Sequence, residues 1–178
     1  MLKKIALLSF GFFLSVFSVQ ADESLYKIIE KENLDAFSDM VILGYGVNDW
    51  DADGYTPLIL ASSLGKKNFV QFLLLNEAVV DKRASDGTIA LHHAARGGYN
   101  DIIDMLYKNG SFINYPDFQG LTPLMYAVLG NHVDTVQKII DLGADVNFIS
   151  AKKQTALSIA RRRKLYPIIS LLEKKGAR

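Results

Sequence analysis

Gly120-Leu121-Thr122-Pro123-Leu124-Met125-Tyr126-Ala127 decides how the rest of the chain is read, because it returns at steps of 33 residues. One step back stands Gly87-Thr88-Ile89-Ala90-Leu91-His92-His93-Ala94, and two steps back Gly54-Tyr55-Thr56-Pro57-Leu58-Ile59-Leu60-Ala61. One step forward stands Lys153-Gln154-Thr155-Ala156-Leu157-Ser158-Ile159-Ala160. A second marker keeps the same phase at Val47-Asn48, Val80-Asp81, Ile113-Asn114 and Val146-Asn147. No insertion or deletion is needed, so the chain is a repeat array in which each unit buries its apolar face only against its neighbours.

Within a unit the local chemistry spells two short helices. Gly54 permits a tight turn, Thr56 caps the first helix by accepting a backbone N–H, and Pro57 takes the first helical position, where its missing N–H costs nothing. Leu58 and Ala61 point into the stack, and Gly65 stops the helix. Asn68 to Leu75 forms the second helix, with Phe69, Val70, Leu73 and Leu74 on its buried side. Helices this short are marginal alone and depend on their neighbours.

These units resemble ankyrin repeats, whose pattern runs G-x-T-P-L-H-x-A-A, then a second helix ending in L-L, then G-A-D-V-N. Gly143-Ala144-Asp145-Val146-Asn147 repeats the last part letter for letter. The resemblance spans about residues 24 to 178 and implies an all-α solenoid of stacked helix pairs with β-turn fingers. About five units of 33 residues, two of them caps, fall at about 22–50, 51–83, 84–116, 117–149 and 150–178. The first is eroded: helices are expected from about Ser24 to Lys31 and Leu34 to Leu43, ended by Gly44 or Gly46, with Lys27, Glu30, Lys31 and Glu32 outward.

Two substitutions mark the joint between the second and third units as the softest. Ile89-Ala90 replaces Thr-Pro, at a cost of about 0.5–2 kcal/mol for the lost cap. Glu77 replaces a glycine at a left-handed corner, at about 1 kcal/mol or more. The last unit has Lys153 in place of glycine, a basic run Arg161-Arg162-Arg163-Lys164, and Pro167 opening its second helix.

The first residues read differently. Met1-Leu2-Lys3-Lys4 is basic, Ile5 to Val19 is apolar, and Val19-Gln20-Ala21 precedes the polar Asp22-Glu23. That is the form of a secretory signal peptide spanning 1–21 and cut after Ala21. The apolar run falls short of the roughly 20 residues that span a bilayer. Export to the periplasm is expected, or secretion as the alternative, with no membrane attachment after cleavage. With no cysteine there is no lipidation site, disulfide framework or thiolate metal site.

Lys+Arg and Asp+Glu, 20 and 19 over the whole chain, stay close to balance when Lys3 and Lys4 leave with the signal. No overall basic field draws nucleic acid. The distribution is lopsided: residues 22–53 carry nine acidic side chains against Lys27 and Lys31, and residues 150–178 nine basic ones against Glu173. An extended array carries this as a dipole along its length, able to orient a charged partner.

Catalytic chemistry finds little to build on. His92 and His132 occupy positions where the resemblance implies a structural histidine, and His93 beside His92 cannot share an ion with it, because adjacent helical residues diverge. Ser62 and Ser63 have no oriented base. Asp49, Asp51 and Asp53 alternate like the start of a calcium loop but lack its closing glutamate. No cofactor, metal or enzymatic activity is expected.

What remains is a recognition surface. The resemblance implies that partners bind the concave side, made of finger tips and the open side of the first helices. Those positions are Asp49, Trp50 and Tyr55; Lys82, Arg83 and Thr88; Tyr115, Phe118 and Leu121; Phe148, Ile149 and Gln154; and, along the helices, Leu64, Arg96, Leu129 and Arg162. Trp, Tyr and Arg dominate interface energies, which singles out Trp50. The alternative is that Tyr115 or Phe118 packs over its own turn. The chain is therefore expected to be a single-copy, non-enzymatic scaffold that binds a protein partner in the periplasm or envelope, with a toxin-neutralising immunity protein or a secreted effector as alternatives.

Overall fold

The computed structural model describes residues 25–42 and 44–178. The proposed signal segment lies outside them. Ten helices are found among the described residues: α1 (Leu25–Glu30), α2 (Leu34–Ile42), α3 (Pro57–Ser63), α4 (Lys67–Leu75), α5 (Ala90–Gly97), α6 (Asn100–Lys108), α7 (Pro123–Gly130), α8 (Val133–Asp141), α9 (Ala156–Arg162) and α10 (Tyr166–Lys174). They pair in order, and the odd-numbered helices pack on one another as an inner row, with α4 against α6 and α8 against α10 behind them.

The inner row is close because its contacts are small or fully buried. Leu58, Leu91, Leu124 and Leu157 are all at most 1 % exposed, and Ala61, Ala94, Ala127 and Ala160 are fully buried. Alanine at one position per unit lets neighbouring first helices approach, and the leucine one turn earlier fills the space between them. In the first unit Phe37 takes over the core of α2. Its ring meets Phe69 edge-on at 5.2 Å and Phe72 at 6.2 Å, across the joint to the second unit.

Each finger closes with the same two backbone bonds. Asp51 N–H donates to Tyr55 O and Gly54 N–H to Asp51 O, and the pattern recurs at 84–88, 117–121 and 150–154. Carboxylates stiffen these turns: Asp51 accepts from the N–H groups of Asp53 and Tyr55, and Asp117 from those of Gln119 and Leu121. Ala84 has no carboxylate to offer, and Asp86 serves instead, accepting from the N–H and hydroxyl of Thr88.

A second set of side chains ties each unit to the next. Asn48 accepts from Val79 N–H and donates to Glu77 O. Asn114 does the same with Asp145 and Gly143, and Asn147 with Arg178 and Gly176. Asp81 is the odd rung. Having no N–H to donate, it accepts from Phe112 N–H and from the Ser111 hydroxyl at 2.6 Å.

Both features of the soft joint read from the sequence are present, with one added bond. Glu77 does sit in the left-handed region, at φ 63°. The missing threonine cap has no side-chain substitute, and the His92 N–H turns to Ile89 O; a different bond is gained, in which Ile89 N–H donates to Nδ1 of His92, whose Nε2–H donates to Leu121 O of the following unit. Thr56 caps its helix as expected and Thr155 caps α9 in the same way, whereas Thr122 is placed to cap yet its hydroxyl finds no partner. Lys153, at φ 55°, fits where Gly54, Gly87 and Gly120 are each pressed by the next finger, because among the described residues no finger packs against residues 148–153 from the other side.

Candidate protein-binding surface

The fingers form one continuous row. Phe118 N–H donates to Asp86 O and Ala151 N–H to Gln119 O, linking the second finger (82–87) to the third (115–120) and the third to the fourth (148–153). The first finger (49–54) is linked differently: the Trp50 indole N–H donates to Arg83 O at 3.0 Å, and the Lys82 ammonium lies 3.7 Å over the same ring. Such a cation over an aromatic face contributes about 0.5–1 kcal/mol at an exposed site.

Arg83 is the hinge of the row. Its Nε–H donates to the Tyr115 hydroxyl at 3.1 Å, and its guanidinium lies 4.5 Å from the Tyr115 ring and 5.3 Å from that of Phe118. Tyr115 stacks in turn on Phe112. Phe118 rests against Gly87, where any side chain would collide with its ring.

The sequence-derived positions therefore divide. Asp49, Trp50, Arg96, Phe118 and Ile149 are exposed, and Arg162 with them, with Phe118 and Ile149 each at 64 %. Tyr55, Leu64, Tyr115, Leu121, Leu129 and Phe148 are half-buried and pack against the core. Each of these six packs against the core at the root of a finger or the end of a first helix. Arg83 is half-buried between two rings. Neither Tyr115 nor Phe118 merely covers its own turn, since both reach the preceding unit.

Below the tips, at the roots of the first two fingers, lies a polar cluster that the sequence did not single out. Thr88 donates its hydroxyl to Asp86 and so accepts from Nε2–H of His93 at 3.0 Å, and the Tyr55 ring meets the His93 ring edge-on. Burial lowers the proton affinity of His93, with Asp86 opposing and Arg96 reinforcing the effect. Burial works to raise the Asp86 carboxyl, but the Thr88 bonds and His93 hold it below the usual range. Tyr55 is pushed up by burial and by Asp86, Asp51 and Asp53. The imidazole thus donates to the hydroxyl instead of accepting its proton, and the cluster ties the second finger to α5. Only the 33-residue offset from Tyr55 to Thr88, read with the helical position of His93, hinted at it.

Among the described residues no group of three or more His, Asp or Glu side chains is placed to hold a metal ion, and no helix is long and apolar enough to cross a membrane. Asp49 and Asp51, the would-be ligands, turn carboxylate oxygens to the backbone N–H groups of Gly46, Asp53 and Tyr55.

Helix pairs stacked at a constant offset, with a row of turns presenting side chains to one side, define a solenoid whose surface is its working part. The family of ankyrin repeats (3 copies) matches residues 25–117 and 114–178, and the chain belongs to that family. Ankyrin repeats are in general scaffolds for protein–protein interaction and typically not enzymes. No curated protein matches the chain significantly.

Proposed function

We propose that this protein is an exported, non-enzymatic scaffold that binds a partner protein through the finger row and the open side of the first helices, in the periplasm or envelope. The single observation that carries the reading is Phe118: a large ring, 64 % exposed, held in a fixed place by Arg83 and Gly87. A rigid exposed aromatic beside a clamped arginine has already lost the side-chain freedom that binding would cost, which is how interface anchors work. The signal-like segment Met1 to Ala21 supports export.

The test is affinity capture from envelope extract with residues 22–178 as bait, beside the Phe118→Ala and Arg96→Ala variants. A protein retained by the native bait and lost with the variants supports the reading. Equal capture by all three removes it. Fractionation of cells expressing the full chain, with the mature N-terminus sequenced, tests export separately: a cytoplasmic, uncut chain would refute it.

A further inference from the structure

The finger row is ordered by charge as well as by shape. Its first finger carries Asp49 and Asp53, both exposed, and its fourth Lys152 and Lys153, also exposed. Between them lie the cations Lys82 and Arg83 of the second finger and the rings of Tyr115 and Phe118 of the third. Exposed apolar side chains punctuate the row at Trp50, Phe118 and Ile149, each more than half exposed. Neither Asp53 nor Lys153 spends its side chain on a hydrogen bond or ion pair among the described residues.

A row of this kind is its own complement when reversed. Laid parallel, two copies would set carboxylates on carboxylates and ammonium groups on ammonium groups. Laid antiparallel, Asp53 of one copy meets Lys153 of the other at both ends, Trp50 meets Ile149, and Arg83 meets the exposed edge of Phe118. A two-fold axis demands this self-complementarity, in which residue i meets j and j meets i. We propose that the finger edge is an isologous interface in which two copies of the chain lie antiparallel, first finger against fourth and second against third.

The proposal rests on the reading of the fingers as a protein-binding surface and names a second copy as an occupant, departing from the single copy expected of the sequence. Matched charges steer and fix the orientation, while the aromatic and aliphatic tips exclude water between them. Screening weakens the end pairs, so association falls as salt rises.

Charge exchange tests it. Sedimentation equilibrium and native mass spectrometry on residues 22–178 are expected to show a dimer of the native chain. The Asp53→Lys and Lys153→Asp variants alone each set like charges together at both ends, and each is expected to dimerise about tenfold or more weakly. An equimolar mixture of the two restores opposite charges at both ends, and heterodimers of mixed mass are expected to recover the native affinity. Far-ultraviolet circular dichroism melts of both variants control for folding.

A native chain that stays monomeric, variants that dimerise like the native chain, or a mixture no tighter than its components would each overturn the pairing. Growth beyond the dimer with concentration would overturn the two-fold arrangement. The wider reading is separable: a monomeric chain whose captured partner is lost on Phe118→Ala keeps the binding surface and loses only the self-pairing.

Discussion

The indole N–H of Trp50 donates to the carbonyl oxygen of Arg83, 3.0 Å away and 33 residues on, closing with a side chain the joint that the later fingers close through the backbone. The hydrogen bond from the first finger to the second thus rests on one side chain. Replacing Trp50 by Phe keeps a ring under Lys82 and removes the hydrogen bond, which costs about 0.5–1.5 kcal/mol. Urea unfolding is expected to show that loss, with hydrogen exchange at residues 49–54 rising more than at 115–120. Unchanged exchange in the first finger would mean that the indole bond holds nothing.

The odd rung at Asp81 makes a directional prediction at Asn114. Asn114→Asp turns a carboxylate toward Gly143 O, which its amide now approaches at 3.4 Å, and no hydroxyl stands nearby to satisfy it. A destabilisation of about 1–3 kcal/mol is expected for the mispaired acceptor. Ala144 occupies the place that Ser111 holds beside Asp81, so Ala144→Ser added to Asn114→Asp is expected to recover part of the loss. A double-mutant cycle with no coupling would show that the two rungs are not built alike.

His92 sets a pH dependence. Burial holds its proton affinity down, to a pKa of about 4 against an ordinary 6.5. Its Nδ1 is already taken by Ile89 N–H, so a proton there meets another donor. Because the unfolded chain binds the proton more readily, stability is complete above about pH 6.5 and declines as pH falls toward 4, with a limit of the order of 3 kcal/mol. The lowered affinity of His93 acts in the same direction. Urea midpoints between pH 7.5 and 4.5 are expected to fall steeply in the native chain and less steeply in His92→Gln. Equal slopes would place the titration elsewhere.

Glu77 stands at φ 63° with its side chain exposed, and its carbonyl, not its carboxylate, serves the rung from Asn48. Glu77→Gly removes a left-handed cost of about 1–2 kcal/mol and adds a smaller penalty in the unfolded chain. A net gain of about 0.5–1 kcal/mol is expected, read as a rise in Tm. A fall in Tm would show that the corner is not strained.

Leu124, 1 % exposed, tests the core itself. Truncation to Ala is expected to cost about 2–5 kcal/mol, from lost burial and the cavity left behind. A smaller loss by urea unfolding would mean that neighbouring helices collapse into the gap.

The period carried most of this fold into view before any coordinates. Helix pairs, the Thr56 cap, the stop at Gly65 and the left-handed Glu77 all follow from positions within one unit, where local sequence decides the outcome. What stayed hidden lies between units. His92 bonding to Leu121 O, Trp50 reaching Arg83 O, and Arg83 wedged between Tyr115 and Phe118 each depend on a group in another repeat. The surface suffered for the same reason: Tyr55, Leu121 and Phe148 sit at binding positions of the pattern, yet the residue one unit away determines how deeply each one packs.

The rungs at Asn48, Asp81, Asn114 and Asn147 lie in series along the stack, one to a joint. A load drawn along the chain is therefore carried by every rung, and the weakest gives first. Under tension the molecule is a staircase, lengthening by one unit at each break.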